Sequence, residues 1–382
     1  MSRSLKGAAV VGIGRTPYVR KSGRTTLAMA AEAARDALAD CGLTPADVDG
    51  MTCFGSAGTP RPSQVAHAIG VEDLGWALHI SGGGNIVTST VTSAATAVLS
   101  GQADVVVVYR VLGSDTRYGQ ALDALQVDGE GQFAGPQGYL VPPQWFAMFC
   151  RRHQYEYGST SEDLGAIAVQ QREHASHNPH AVGRTPITID DYMASRWISD
   201  PFRLYDCTYE IDGAVAIVVT SAERAKDLPH KPVHLLGAAD ANRFGGSIDQ
   251  WDDMTCMYSR DTAPKLWSRT GLSAKDIDVA LMYDCFTFTV MATFEDFGFC
   301  KKGEVGDFFR EGRATYGGDV VVNPHGGLLS EGYIHGLNHH YEAVLQLRNE
   351  AGDRQVAGAE TALVTSGGCP YGGALVYGTE ML

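Results

Sequence analysis

The sequence predicts an α/β protein made of two similar halves with an inserted loop region. Three observations carry that prediction. First, "AARDALADCGLTPADVDGMTCF" (33–54) aligns without gaps with "TAPKLWSRTGLSAKDIDVALMY" (262–283), sharing Gly-Leu-(Thr/Ser)-x-x-Asp-(Val/Ile)-Asp. Second, each copy precedes the same series of a glycine loop, a helix and an apolar strand. Third, "DVVVVY" (104–109) and "AVAIVVT" (214–220) hold continuous apolar runs, Val105–Tyr109 and Ala214–Val219, which suit a sheet covered on both faces.

The elements follow in chain order. The chain opens on a strand-like run, in which "VVGIGRTP" (10–17) lacks the third glycine and the full strand–helix fingerprint of a dinucleotide loop. Each repeat reads as an amphipathic helix, a glycine stop, a short acidic turn and a strand. "ISGGGNIVTSTVTSAATAVLSGQADVVVVYRV" (80–111) then gives a glycine loop, a helix of small residues and a strand. Its second-half counterpart is "NPHGGLLSEGYIHGLNHHYEAVLQLRNE" (323–350) followed by "ETALVTSGG" (360–368). Between the halves, 112–204 is richer in polar and aromatic residues and holds a Ser/Thr-capped helix, "TSEDLGAIAVQQREHASHN", ending before Pro179. "DGAVAIVVTSAERAKDL" (212–228) returns to strand and helix and closes the first half. The expected division is 1–233, with 112–204 inserted, and 234–382.

Composition bounds the function. A formal net charge of −14 argues against nucleic acid, while a local basic rim can still hold an anionic small ligand. The eight cysteines never form a C-x-x-C pair, which predicts reduced packing residues and no zinc or disulfide framework. No apolar run reaches the roughly 20 residues of a membrane span, and no signal-peptide pattern opens the chain. The expected location is the cytoplasm.

Four of the twelve histidines fall in "HGGLLSEGYIHGLNHH" (325–340), so a metal site has to be weighed. Glu331, His335 and His339 are spaced i, i+4, i+8 and could share a helix face. Glu331, however, precedes the expected helix start, and no H-E-x-x-H motif occurs. No metal is expected.

Two halves, an inserted loop region and these glycine motifs resemble the thiolase superfamily, and within it the sterol-carrier-type thiolases and their steroid-degrading aldolase relatives. The segments that carry the resemblance are "GGGNIVTSTVTSAATAVLSGQADVV", "LMYDCFTFTVMATFEDFGFC" and "NPHGGLLSEGYIHG", spread in family order over nearly the whole chain. The resemblance implies a thiolase fold of five layers, α-β-α-β-α, a homodimer and an acyl-CoA substrate, with CoA as part of the substrate and no other cofactor. From the aldolase relatives it also implies a DUF35-type (OB-fold) partner, giving a heterotetramer.

The departures from the thiolase pattern are informative. Counting back from "GQADVV" puts Gly84 where a thiolase carries its nucleophilic cysteine. The second cysteine's place falls on Ser366 or Gly367, with Cys369 two or three residues late. The Gly-His-Pro histidine is replaced by Tyr333, after Gly332, and the "HDCF"-type motif reads Tyr283-Asp284-Cys285-Phe286. A glycine cannot carry an acyl group, and in its place it leaves room for a bulky substrate carbon. The enolate chemistry needs only oxyanion donors.

The resemblance therefore implies a retro-aldolase. One tyrosinate takes the proton of a β-hydroxyl, the Cα–Cβ bond breaks to a ketone, and the other tyrosine protonates the thioester enolate. Steroid side chains bearing a tertiary alcohol are the substrates expected, and propionyl-CoA the short product. Poising a phenol of pKa about 10 near 7 requires roughly 4 kcal/mol of differential interaction, for which Tyr333 is expected at a helix N-terminus. Which phenol is base and which acid stays open. His335 is the auxiliary candidate, orienting a phenol or the thioester oxygen; Asp284 orients Tyr283 or nearby backbone. Gly84, Gly332 and Gly367 are expected to line the oxyanion and substrate pocket. The competing readings are a non-catalytic acyl-CoA or lipid carrier and a residual thiolase using Cys285 or Cys369.

Overall fold

The computed structural model describes residues 5–55, 58–113, 131–139, 141–242, 251–368 and 370–381. Cys369 and part of the inserted region lie outside them. The first half contains β1 (Ala8–Arg15), α1 (Thr26–Asp40), β2 (Gly50–Gly55), α2 (Pro62–Ile69), β3 (Trp76–Ser81), α3 (Val87–Leu99) and β4 (Val105–Leu112). Then come α4 (Pro142–Tyr157), α5 (Ser161–Ser176), a small ribbon of β5 (Trp197–Ser199) and β6 (Phe202–Arg203), and β7 (Gly213–Ser221). The second half contains β8 (Val233–Asn242), α6 (Ser259–Thr270), β9 (Val279–Leu281), α7 (Thr287–Asp296), β10 (Val321–Val322), α8 (Leu337–Arg348), β11 (Thr361–Gly368) and β12 (Tyr371–Gly378).

The strands run in the order β10-β9-β11-β12-β8-β1-β7-β4-β2-β3. The two halves meet where β1 and β8 pair antiparallel at Ala9–His234 and Val10–Val233. Outward from that seam the order β8-β12-β11-β9-β10 repeats β1-β7-β4-β2-β3, with the same alternation of parallel and antiparallel pairs. The repeat seen in the sequence is thus a repeat of topology.

Helices α3 and α8 form the middle layer. Val87, Val91 and Ala94 share one core with Leu337 and Val344, and with strand residues of both halves such as Val108 and Leu281. Four hydroxyls of α3 (Thr90, Thr92, Ser93 and Thr96) bond back to the carbonyl four residues earlier, at 2.8 Å each, so a polar-looking helix can be buried. Helices α1 and α2 cover the outer face of the first half. The "GIG" of β1 lets α1 approach: a Cβ at Gly12 or Gly14 would lie 2.2 Å from Ala37 O or 2.3 Å from Ala33 O. That excludes the dinucleotide-loop reading on packing grounds.

The outer face of the second half is covered by α6 and α7 together with the insertion. Phe146 and Phe149 of α4 and Leu164 and Ile167 of α5 pack with Phe288, Phe294 and Met257. The insertion therefore leaves the first half in sequence but completes the core of the second. This is the five-layer thiolase fold. Among the described residues no helix is long and apolar enough to cross a membrane.

Candidate active site

The site lies where the loops before α3 and α8 meet the ends of β9 and β11. Tyr283 follows β9, and its backbone is pinned from three sides. Asn323 accepts from Met282 N at 2.9 Å and donates to Met282 O at 3.0 Å. Tyr283 N donates to Thr365 Oγ1 of β11 at 2.8 Å, and Thr289 Oγ1 donates to Tyr283 O at 2.9 Å. The phenol, almost fully buried, reaches across to the first half. A Cβ on Gly84 would stand 1.8 Å from Tyr283 Oη. The room left by the missing cysteine is therefore filled by a phenol of the protein itself, not held open for substrate as expected from sequence.

Tyr333 completes the pair: its hydroxyl is 3.0 Å from that of Tyr283. It does not sit at a helix N-terminus. Helix α8 starts only at Leu337; Tyr333 N donates to Tyr209 O at 3.1 Å and its backbone bridges to Glu210. The chain then turns through left-handed φ values at His335 (53°) and Gly336 (87°) before the helix begins. A non-glycine residue at such a φ is strained, and Gly336 is required because its Cβ would meet the Tyr283 ring at 3.1 Å.

His335 faces the same space. Its ring meets that of Tyr333 edge-on with centroids 4.7 Å apart, and its Nε2 is 3.9 Å from where a Gly83 Cβ would be. Burial, with the Arg110 charge beside it, holds the imidazole well below the usual histidine range, so it is neutral. Arg110 is a functional candidate that the sequence reading passed over, although a lone arginine inside "VVVVYRVL" is the available signal.

The other candidates face elsewhere. Asp284 turns from the phenols to the backbone: it accepts from Leu328 N at 2.9 Å and Leu329 N at 3.1 Å, and lies 3.2 Å from His339 Nε2. Gly332 is not pocket lining on its open side, because a side chain there would run into Ile211 and Tyr18. Gly367 (φ 102°) does abut the first-half loop, with its Cβ position 3.1 Å from Asn85 Cα. The trio weighed as metal ligands is split. His335 goes to Arg110, and His339 Nδ1 is 3.1 Å from His325 Nε2. Glu331 accepts from Arg15 at 3.1 Å, Asn178 at 3.0 Å and Asn338 at 2.7 Å.

Cys285 lies beside the site, but burial pushes its thiol up to about 12. Cys41 and Cys53 are pushed to about 11, and Cys256 and Cys300 to about 12, for the same reason. These groups are protonated at neutral pH and are poor acyl carriers.

The whole chain, not only the site, is similar to known proteins. Residues 243–377 match the thiolase C-terminal domain-like family. The chain is 44% identical to a 17-hydroxy-3-oxo-4-pregnene-20-carboxyl-CoA lyase of Mycobacterium tuberculosis, over 97% of this chain and 98% of that one. It belongs to the thiolase-fold aldolases. A steroid side-chain-cleaving aldolase of Thermomonospora curvata is 41% identical over 98% of each chain. The solved Ltp2–ChsH2(DUF35) aldolase superposes with a TM-score of 0.91 at 38% identity, covering 97% of both chains. The chain is accordingly a carbon–carbon lyase.

Proposed function

We propose that this chain cleaves the Cα–Cβ bond of a β-hydroxyacyl-CoA whose β-carbon is a tertiary alcohol on a steroid ring, releasing a ketone and a short acyl-CoA. The observation that carries the reading is the phenol pair, 3.0 Å apart, with the Tyr283 hydroxyl where a nucleophile's side chain would begin. A hydrogen bond from one phenol stabilises the other as phenolate. The phenolate takes the β-hydroxyl proton, the Cα–Cβ electron pair moves into the thioester as an enolate, and the ketone departs. The enolate Cα then takes a proton from the pair. The short contact between the two oxygens returns the pair to its starting state, because the proton gained at one can pass to the other. The 17-hydroxyl and the carboxyl-CoA in the Mycobacterium tuberculosis relative's name fit such a substrate. Propionyl-CoA is the short product when Cα bears a methyl group.

The same reading extends to assembly. Strand β3 is an edge of the sheet, largely exposed, and leads directly into the Gly82–Gly84 loop, which supports a homodimer that buttresses the site. The DUF35 component named with the Ltp2 aldolase supports a DUF35 partner here and a heterotetramer. The test is turnover of a tertiary β-hydroxyacyl-CoA by the chain with its DUF35 partner, in the presence and absence of free CoA. Cleavage that needs free CoA, or none at all, contradicts the reading.

A further inference from the structure

We infer that the Nε2–H of His335 is the hydrogen-bond donor for the oxygen that becomes negative in the thioester enolate, and that buried Arg110 is the positioning residue that fixes this donor. The inference rests on the aldolase reading above and assigns it an oxyanion donor. Arg110 lies two residues before the end of β4 and is 1% exposed. Its Nε and Nη2 both approach His335 Nδ1, at 3.0 and 2.8 Å. Its Nη1 donates to Phe54 O at 3.0 Å and to Thr59 Oγ1 at 2.7 Å, and the guanidinium lies over the Phe54 ring.

The logic is that of donors and acceptors. A guanidinium has N–H donors and no acceptor, so the imidazole nitrogen facing it must be unprotonated. Nδ1 is therefore the acceptor, and the single proton of the neutral ring resides on Nε2. That atom is buried and has no hydrogen-bond partner among the described residues. It points at the glycine loop beside both phenols. A buried, oriented and unused N–H costs free energy unless something arrives to accept from it. The strained φ of His335 is a second cost borne at this spot. An enolate oxygen between Tyr333 and the Gly83–Gly84 loop meets the donor's needs, and a fixed donor in a dry site needs no reorganisation as the charge appears. The positive charge on Arg110, one ring away, polarises the N–H further and keeps His335 from acting as an acid.

The tests separate the donor from the scaffold. Ala and Gln strain the backbone at residue 335 alike, but Gln can place an N–H near Nε2. H335A should lower kcat about 10²–10³-fold with little change in KM, and H335Q should recover at least tenfold of that loss. R110M should lower kcat likewise, with R110K restoring part of it by donating to Nδ1. Nitrogen-15 spectra of histidine-labelled wild type, with the His335 signals assigned by their loss in H335Q, should show Nε2 protonated and Nδ1 bare at pH 7. A protonated Nδ1 overturns the inference without any variant needing to fold, and so does an H335A enzyme with wild-type kcat. If wild type cleaves no β-hydroxyacyl-CoA, the aldolase reading fails and takes the oxyanion role with it. If wild type cleaves and H335A cleaves equally well, this inference alone fails.

Discussion

Adding one methyl group at Gly84 should disable the enzyme without unfolding it. The Cβ of a Gly84→Ala variant would lie 1.8 Å from Tyr283 Oη and 2.3 Å from Cζ. A non-bonded carbon–oxygen contact needs roughly 3.3 Å, so the phenol must withdraw by about 1.5 Å. It cannot slide freely, because the ring also packs closely against Gly336 and the Tyr283 backbone is held by Thr365 and Thr289. A shift of that size takes the 3.0 Å phenol pair out of hydrogen-bond range. The expected loss is that of a general acid–base group, about 10²–10⁴ in kcat. Overpacking should cost about 1–3 kcal/mol of stability, readable by urea unfolding. Gly84 does not use the left-handed region, so backbone strain does not confuse the result. The assay is steady-state release of short acyl-CoA by G84A, Y283F and the double variant. If the methyl acts through Tyr283, the double variant should be no worse than the poorer single one. A G84A enzyme with more than about a tenth of wild-type kcat would refute the argument.

Other outcomes follow from the same geometry. Y283F and Y333F should each lose about 10²–10⁴ in kcat while circular dichroism and melting stay close to wild type. Cys285→Ala should keep activity within a few-fold, since its thiol is pushed up to about 12 and serves packing; loss of turnover would restore the thiolase reading. Arg15→Met leaves the buried Glu331 carboxylate without its cation and should cost about 3–5 kcal/mol in chemical denaturation. Asp206 accepts from Tyr192, Thr287 and Arg203 N, and burial raises it to about 6. Its protonated form stabilises the fold below the unfolded value near 3.9. That stability, about 3 kcal/mol, is lost as pH rises through 6. Comparing urea unfolding of wild type and Asp206→Asn between pH 4 and 7 should show the slope disappear in the variant.

Much of this architecture is legible in the chain because repetition is. The Gly-Leu-x-x-x-Asp-x-Asp signature marks corresponding turns before β2 and β9, and a duplicated segment must fold twice. The tyrosines stand out in the sequence because they fall where the thiolase resemblance implies other catalytic groups. The arrangement around them is not readable, because it is made by contacts across the two halves. Nothing local says that the Tyr283 ring fills the space above Gly84, 199 residues away in sequence. Arg110 is likewise invisible as a partner of His335 until β4 is set beside the loop before α8. The helix N-terminus expected at Tyr333 fails for a local reason: His335 and Gly336 turn left-handed, and a helix cannot begin until they are passed.

The most direct test is the fate of a tertiary β-hydroxyacyl-CoA incubated with the enzyme and its DUF35 partner in deuterated water without free CoA. The account predicts equimolar ketone and short acyl-CoA, with one deuterium at Cα from protonation of the enolate. Cleavage only when free CoA is supplied, or a short acyl-CoA with no deuterium at Cα, would contradict it.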